Sequence, residues 1–265
     1  MKKAIIGILA VIVLIVVGLA LWLFAFGDNP EEVDIDAAVE QLEQDNADDA
    51  VVDDTVVEDG SDGAESDPTD EDTVDTETGA TETGAALENI EGAWSVQADS
   101  DNTFVGYRIN EVLTTIGAFE VVARTPDVTG TLNVTGTTID SVEVTAQVST
   151  LTTDNPARDN AIRSQALETD AFPTATFSLT EPIELDGPPV AGQTFSVEAI
   201  GDLTIHGLRN NVTFPLDAQV VGEQIVVVGQ LNILLDDYQI DAPSAPVVAS
   251  VEDNAILELS VVLGR

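Results

Sequence analysis

From Trp94 onward the chain is written in short alternating runs. SVEVTAQVSTL sets Val142, Val144, Ala146 and Val148 on one face, with Glu143, Thr145 and Gln147 on the other. TATFSL opposes Ala175, Phe177 and Leu179 to Thr174, Thr176 and Ser178, and NVTFPLDAQV repeats the pattern with Val212, Phe214, Leu216 and Ala218. Period-two alternation predicts strands with one wet face. QIVVVGQLNILL and AILELSVVL hold too few polar positions for that, which predicts strands partly covered on both faces. Turn signals recur as VTGT at Val128 to Thr131, VTGTT at Val134 to Thr138, DGPP at Asp186 to Pro189 and VGEQ at Val221 to Gln224. Many short strands so punctuated predict an antiparallel sandwich or barrel. Only ARDNAIRSQALE, Ala157 to Glu168, breaks the alternation. It suits a short helix opening after Asn155-Pro156, since Pro is favoured in a first turn, with Ile162 and Leu167 packing inward.

Ahead of this region the pattern changes twice. After Met1-Lys2-Lys3, AIIGILAVIVLIVVGLALWLFAF supplies about 23 apolar residues without a charge, enough to cross a hydrocarbon core of about 30 Å. Lys2 and Lys3 precede the run and acids follow it, so the positive-inside rule places the N-terminus in the cytoplasm and the remainder on the extracytoplasmic (periplasmic) side. Trp22, Phe24 and Phe26 stand where an interfacial aromatic belt belongs. A cleaved secretory signal is the competing reading, and Ala25 and Gly27 offer a small-x-small site. The apolar run nevertheless exceeds the usual span of about 7–15 residues. Residues 1–27 are therefore expected to form an uncleaved single-pass signal-anchor, a transmembrane helix that holds the chain at the cell membrane.

Residues 28–91 are crowded with Asp, Glu, Thr, Gly and Ala and contain no aromatic side chain. Like charges repel and little apolar surface offsets the ordering entropy. The expectation is a disordered acidic linker that lifts the following domain off the membrane, with at most a transient helical turn at Ile35 to Leu42. DGSDGAESD is too loose for a calcium loop, which needs alternating acids, a central Gly and a terminal Glu. Residues 92–265 then form the folded domain, large enough for a single core.

Charge and composition narrow the function. A formal net charge of -41 argues against nucleic acid, because neutralising phosphates needs clustered Lys and Arg. The six arginines after the tract are scattered. Absence of cysteine excludes disulfides and thiolate chemistry. His206 is the only histidine. A triad needs a nucleophile and an orienting acid around it, and a metal site usually needs further His or Cys, so neither catalysis nor a metal is expected. Two readings of His206 stay open, a structural His at a strand-turn junction and a contact to a ligand. Arg158 and Asp159 are adjacent and point apart in a helix, so each pairs with other loops, or Arg158 contributes to a polar ring at a cavity mouth.

Two stretches carry more than pattern. In the first, Arg158-Asp159 precedes Phe172-Pro173-Thr174-Ala175-Thr176-Phe177. In the second, Gly201 to Gly207 reads G-x-L-T-x-H-G and leads into an apolar strand. In order and spacing they resemble the signature of the YceI-like family, over roughly Trp94 to Leu263. Two departures stand beside it, Asn160-Ala161 after the Arg-Asp pair and Thr169-Asp170-Ala171-Phe172 before Pro-Thr. The resemblance implies an all-β, antiparallel lipocalin-like β-barrel with one short helix, holding an isoprenoid or other long apolar lipid and needing no cofactor. On that reading the candidate ligand contacts are Phe104, Phe119, Phe172, Ala175, Phe177, Leu179, Leu203, Ile205 and Phe214, with Arg158 and His206 as polar neighbours. The rival expectation is an adhesive β-sandwich ectodomain with a filled core and no ligand.

Overall fold

The computed structural model describes residues 29–52 and 90–265. The expected anchor at 1–27 and the acidic stretch 53–89 lie outside the described residues. Among those described, no helix is long and apolar enough to cross a membrane.

The chain runs through α1 (Ile35–Val52), β1 (Gly92–Val96), β2 (Phe104–Leu113), β3 (Gly117–Thr125), β4 (Val128–Thr135), β5 (Thr138–Gln147), α2 (Pro156–Ala161), β6 (Thr174–Leu179), β7 (Ile183–Glu184), β8 (Thr194–Ile205), β9 (Leu208–Val221), β10 (Gln224–Leu234), β11 (Val248–Val251) and β12 (Asn254–Gly264). β1, β4, β5, β6, β8, β9, β10 and β12 pair in a ring, all antiparallel, and the ring closes where Ser95 and Val96 of β1 meet Gly264 and Leu263 of β12. β2 extends β1 along the same edge of β12, and β3 with β4 forms its antiparallel neighbour. The result is an up-and-down barrel, and closure leaves no edge of the ring unpaired. It replaces the two facing sheets of the sandwich alternative.

Strand parity follows the alternation in the sequence. Val142, Val144, Ala146 and Val148 point inward, as do Phe214, Leu216 and Ala218. The turn expected at Val128 to Thr131 is instead the start of β4. Gly130 stands there because a Cβ would lie 2.6 Å from the Glu143 carbonyl oxygen, so close strand approach, and not a turn, demands glycine. Gly136 and Gly222, each at positive φ, do sit in the β4–β5 and β9–β10 turns.

The linker expectation fails over its first part. Asp34 caps α1, its Oδ1 accepting from the N–H groups of Asp36 and Ala37, each at 3.1 Å. Ile35, Ala38, Val39 and Leu42 recur at i, i+3, i+4 and i+7, one helical face. That face is buried on the outward side chains Val221, Val226, Val228 and Val262 of β9, β10 and β12. Burying an Ile, Val or Leu side chain contributes about 1.5–3 kcal/mol, so the acids leave this segment free to fold provided they all face water. α1 is the outer cover that the apolar β10 and β12 called for.

A second tie lies beside it. The outward Arg108 of β2 donates from Nε to Glu258 Oε2 (2.8 Å) and from Nη1 to Glu120 Oε2 (3.0 Å), and its Nη2 bonds the Pro30 and Glu31 carbonyls. Arg124 Nε completes Glu258 at 2.6 Å, and its Nη2 reaches the Glu31 carbonyl at 2.6 Å. Residues 29–47 are thus a strap docked on the barrel wall.

Candidate functional site

The barrel interior is a cavity of about 500 Å³, within the range of about 300–1,000 Å³ typical of small-molecule sites. Val, Leu, Ile and Ala from every strand of the ring but β1 make most of its wall, which Val96 of β1 completes. Two glycines shape it. A Cβ on Gly201 would sit 2.4 Å from Phe177 Cζ and 2.6 Å from the Ser178 carbonyl oxygen, and one on Gly229 would sit 3.0 Å from Phe214 Cε1 and 2.5 Å from Leu216 Cδ2. Glycine on the inner face lets the Phe177 and Phe214 rings lie flat enough to meet edge to face at 6.3 Å. Gly201→Ala is therefore expected to lower unfolding free energy by about 1–3 kcal/mol, the usual scale of overpacking, and to push the Phe177 ring into the cavity. Denaturant titration measures the first effect; a loss below about 0.5 kcal/mol would mean that Phe177 moves aside freely.

The two ends differ. At one, Ile90, Trp94, Val134, Ile139 and Leu263 pack together, with Trp94 fully buried. At the other lie the β2–β3 turn, α2, the β8–β9 turn and the 235–253 segment. Wall residues that also face solvent cluster there: Asn155, Ala157, Ala242, Ala245 and Val247. This is the open end.

α2 builds the polar rim of that opening. Asn155 caps it, its side chain accepting from the Ala157 N–H at 2.9 Å, with Pro156 following as expected. A π-helical turn, Ile162–Ala166, continues it and turns Ile162, Ala166 and Leu167 into the core. The adjacent Arg158 and Asp159 part company. Asp159 is buried and accepts from the Thr153 N–H (2.8 Å) and hydroxyl (2.7 Å), fixing the preceding loop. Arg158 reaches the cavity wall, donates to Glu111 Oε1 at 3.0 Å, bonds Asp154, and lies over the Phe119 ring at 5.4 Å. Tyr107, on the same inward face of β2 as Glu111, also lines the wall. Burial pushes the Tyr107 phenol well above its ordinary range and Arg158 only partly opposes this, so the group stays a neutral hydroxyl at any physiological pH. Tyr107, Glu111 and Arg158 give the apolar chamber one polar end.

Of the residues expected to contact a ligand, Ala175, Phe177, Leu203, Ile205, Phe214 and Arg158 line the cavity. Leu179 shares the inward face of β6 but packs into the cluster around Trp94. Phe104 is turned outward beneath Arg124, 4.1 Å from its guanidinium carbon, and Phe119 is spent under Arg158. His206 and Phe172 lie outside the wall, against each other at 4.7 Å in an edge contact. His206 opens the two-residue β8–β9 turn at φ 51°, followed by Gly207 at φ 74°, the primed geometry that suits a tight hairpin. Its Nδ1 meets the Tyr238 carbonyl oxygen at 3.1 Å and its Nε2 meets Glu168 Oε2 at 3.0 Å. Of its two readings, the geometry fits the structural one. Tyr107 and Glu111 were missed, although Tyr107, Ile109, Glu111 and Leu113 alternate along β2. Among the described residues, no group of three His, Asp or Glu side chains is arranged to hold a metal.

The YceI-like domain model matches residues 94–263. No curated protein matches the chain. Among solved structures, a polyisoprenoid binding domain from Saccharophagus degradans, implicated in plant cell wall breakdown, superposes with a TM-score of 0.51 at 15% identity, covering 64% of this chain and 97% of that one. BcnA of Burkholderia cenocepacia gives 0.48 at 16% identity, covering 63% and 98%. The YCEI protein of Campylobacter jejuni gives 0.43 at 17% identity, covering 53% and 82%.

Proposed function

Since the chain belongs to the family of YceI-like domains across residues 94–263, we propose that it is a membrane-tethered, extracytoplasmic carrier that sequesters or moves a polyisoprenoid-type lipid. The observation that carries the reading is the interior itself, an apolar chamber of about 500 Å³ where a filled core would otherwise be. Affinity comes from apolar area withdrawn from water, about 25 cal/mol per Å². The polar end made by Tyr107, Glu111 and Arg158 suits the more polar terminus of such a chain. The ligand class is the one given for the Saccharophagus degradans domain. The apolar run within residues 1–27 supplies the tether, with the barrel outside the cytoplasm. No catalytic step is assigned, because both ring nitrogens of His206 are engaged in holding loops.

The test is organic extraction of the full chain purified from membranes, followed by mass spectrometry. Close to one long-chain apolar lipid per chain is expected. Repeatedly empty protein that melts with undiminished cooperativity would sink the carrier reading.

A further inference from the structure

We infer that the open end of the barrel is held against the bilayer, its apolar rim in contact with the lipid, so that a ligand passes between membrane and cavity without crossing water. The inference rests on the tether proposed above and follows from where the described chain begins. Asn29 comes almost directly after the apolar run. Its side-chain amide donates to the Glu120 carbonyl of β3 at 2.8 Å. Glu120 is three residues from Gly117, the first residue of β3, hence roughly 10 Å along the strand from the open end. From there the strap runs away from the opening, past Arg108 and Arg124 and along α1. Asn46 finally meets Gln224 at the closed end, at 3.3 Å. Followed backwards, the docked strap points toward the open end.

The same end carries most of the exposed apolar side chains. Among the described residues, Val112, Ile116, Leu234 and Val247 are large hydrophobics 41–58% exposed, and all four lie there; the fifth, Val190, is at the closed end. The Thr114 N–H donates to the Val247 carbonyl at 2.9 Å, which joins the β2–β3 turn and Val247 into one rim, and Val247 also lines the cavity. The exposed acids at this end, Asp154, Glu168, Asp170, Asp236, Asp237, Asp241, Glu252 and Asp253, give no attraction to anionic headgroups. The fitting surface is a zwitterionic bilayer into which the apolar tips dip, as interfacial elements do. Residues 53–89 follow α1 and rejoin the fold at Ile90, whose carbonyl accepts from Trp94 Nε1 at the closed end.

Docking of the strap is what sets the orientation. A flexible tether of roughly 65 residues would have an r.m.s. span of about 45 Å and favour no face, whereas the docked strap leaves almost no free chain between the apolar run and Asn29.

The cysteine-free chain allows a clean test. Single cysteines replacing Ile116, Val247 and, as the opposite-end reference, Val190 carry an environment-sensitive fluorophore in the full chain, reconstituted into phosphatidylcholine vesicles with doxyl-labelled acyl chains. The Ile116→Cys and Val247→Cys labels are expected to shift to the blue and to be quenched several-fold more than the Val190→Cys label. Adding Val39→Asp and Leu42→Asp to undock α1, together with Asn29→Ala and Arg124→Ala to loosen residues 29–31, is expected to bring rim quenching down toward the reference level while the protein still floats with the vesicles. Equal quenching at all three sites, unquenched rim labels on floating protein, or rim quenching indifferent to undocking would each overturn the orientation and leave the tether standing. A chain that does not float overturns the tether and the orientation together.

Discussion

Replacing Glu258 by Ala is expected to destabilise the protein by about 3–5 kcal/mol, the usual cost of removing one partner from a buried ion pair. Glu258 is fully buried, and its two oxygens take Arg108 Nε at 2.8 Å and Arg124 Nε at 2.6 Å. Without the carboxylate, Arg108, itself only 3% exposed, keeps one carboxylate partner, Glu120. Because both arginines also hold the carbonyls of the strap, the loss propagates outward to residues 29–31. Urea unfolding of the variant measures the cost, and quicker protease cleavage near Asn29 reports the strap. A cost below about 1 kcal/mol would mean that water enters the gap and solvates both guanidiniums. Removing both arginines together with Glu258 in favour of apolar residues is expected to recover much of the loss, since a buried ionic cluster often breaks even against hydrophobic packing.

The second large effect lies inside the barrel. Ala175→Trp is expected to reduce bound lipid from near stoichiometric to a small fraction, with only a modest loss of stability. Ala175 lines the cavity on β6 opposite Ala146 of β5, so an indole placed there projects into space and not into neighbouring side chains. In a filled core the same enlargement costs about 1–3 kcal/mol or more. Extraction with mass spectrometry and thermal unfolding, run on one preparation, separate the cases. Unchanged occupancy would place the ligand elsewhere. Low occupancy with a cost of several kcal/mol would point to a collapsed interior in the native protein.

The antiparallel strands were legible in the sequence because alternation is a local property, whereas the choice of barrel over sandwich came from the family resemblance. A strand with one wet face must repeat every two residues, and Val142 to Val148, Ala175 to Leu179 and Val212 to Ala218 do so. α2 announced itself through Asn155-Pro156. α1 was legible only in part: Ile35, Ala38, Val39 and Leu42 sit at helical spacing behind a capping Asp34, but the surrounding acids suggested no more than a transient helical turn within a disordered linker. Asp36, Glu40, Glu43 and Asp45 are exposed on the outer face, where water solvates the charge. Six of the eleven expected ligand contacts line the cavity. Those that do not, such as Phe104 and His206, were selected by residue type, and type does not tell which way a side chain points.

What the sequence determined by itself is the set of elements and their wet and dry faces, since these depend on residues two to four positions apart. It also carried the family signature and the apolar run ahead of the acidic tract. Only the tertiary structure decided that the strands close through β1 and β12, because that pairing joins residues some 170 positions apart and no local pattern encodes it. Closure in turn decided that the inward faces surround a chamber and do not fill it, a matter of how rings such as Phe177 and Phe214 pack across the interior. It also decided that residues 29–47 lie along the wall, with Asn29 the part of the strap nearest the open end. That outcome depends on Arg108, Arg124 and the outward valines of β9, β10 and β12 meeting the strap at one place.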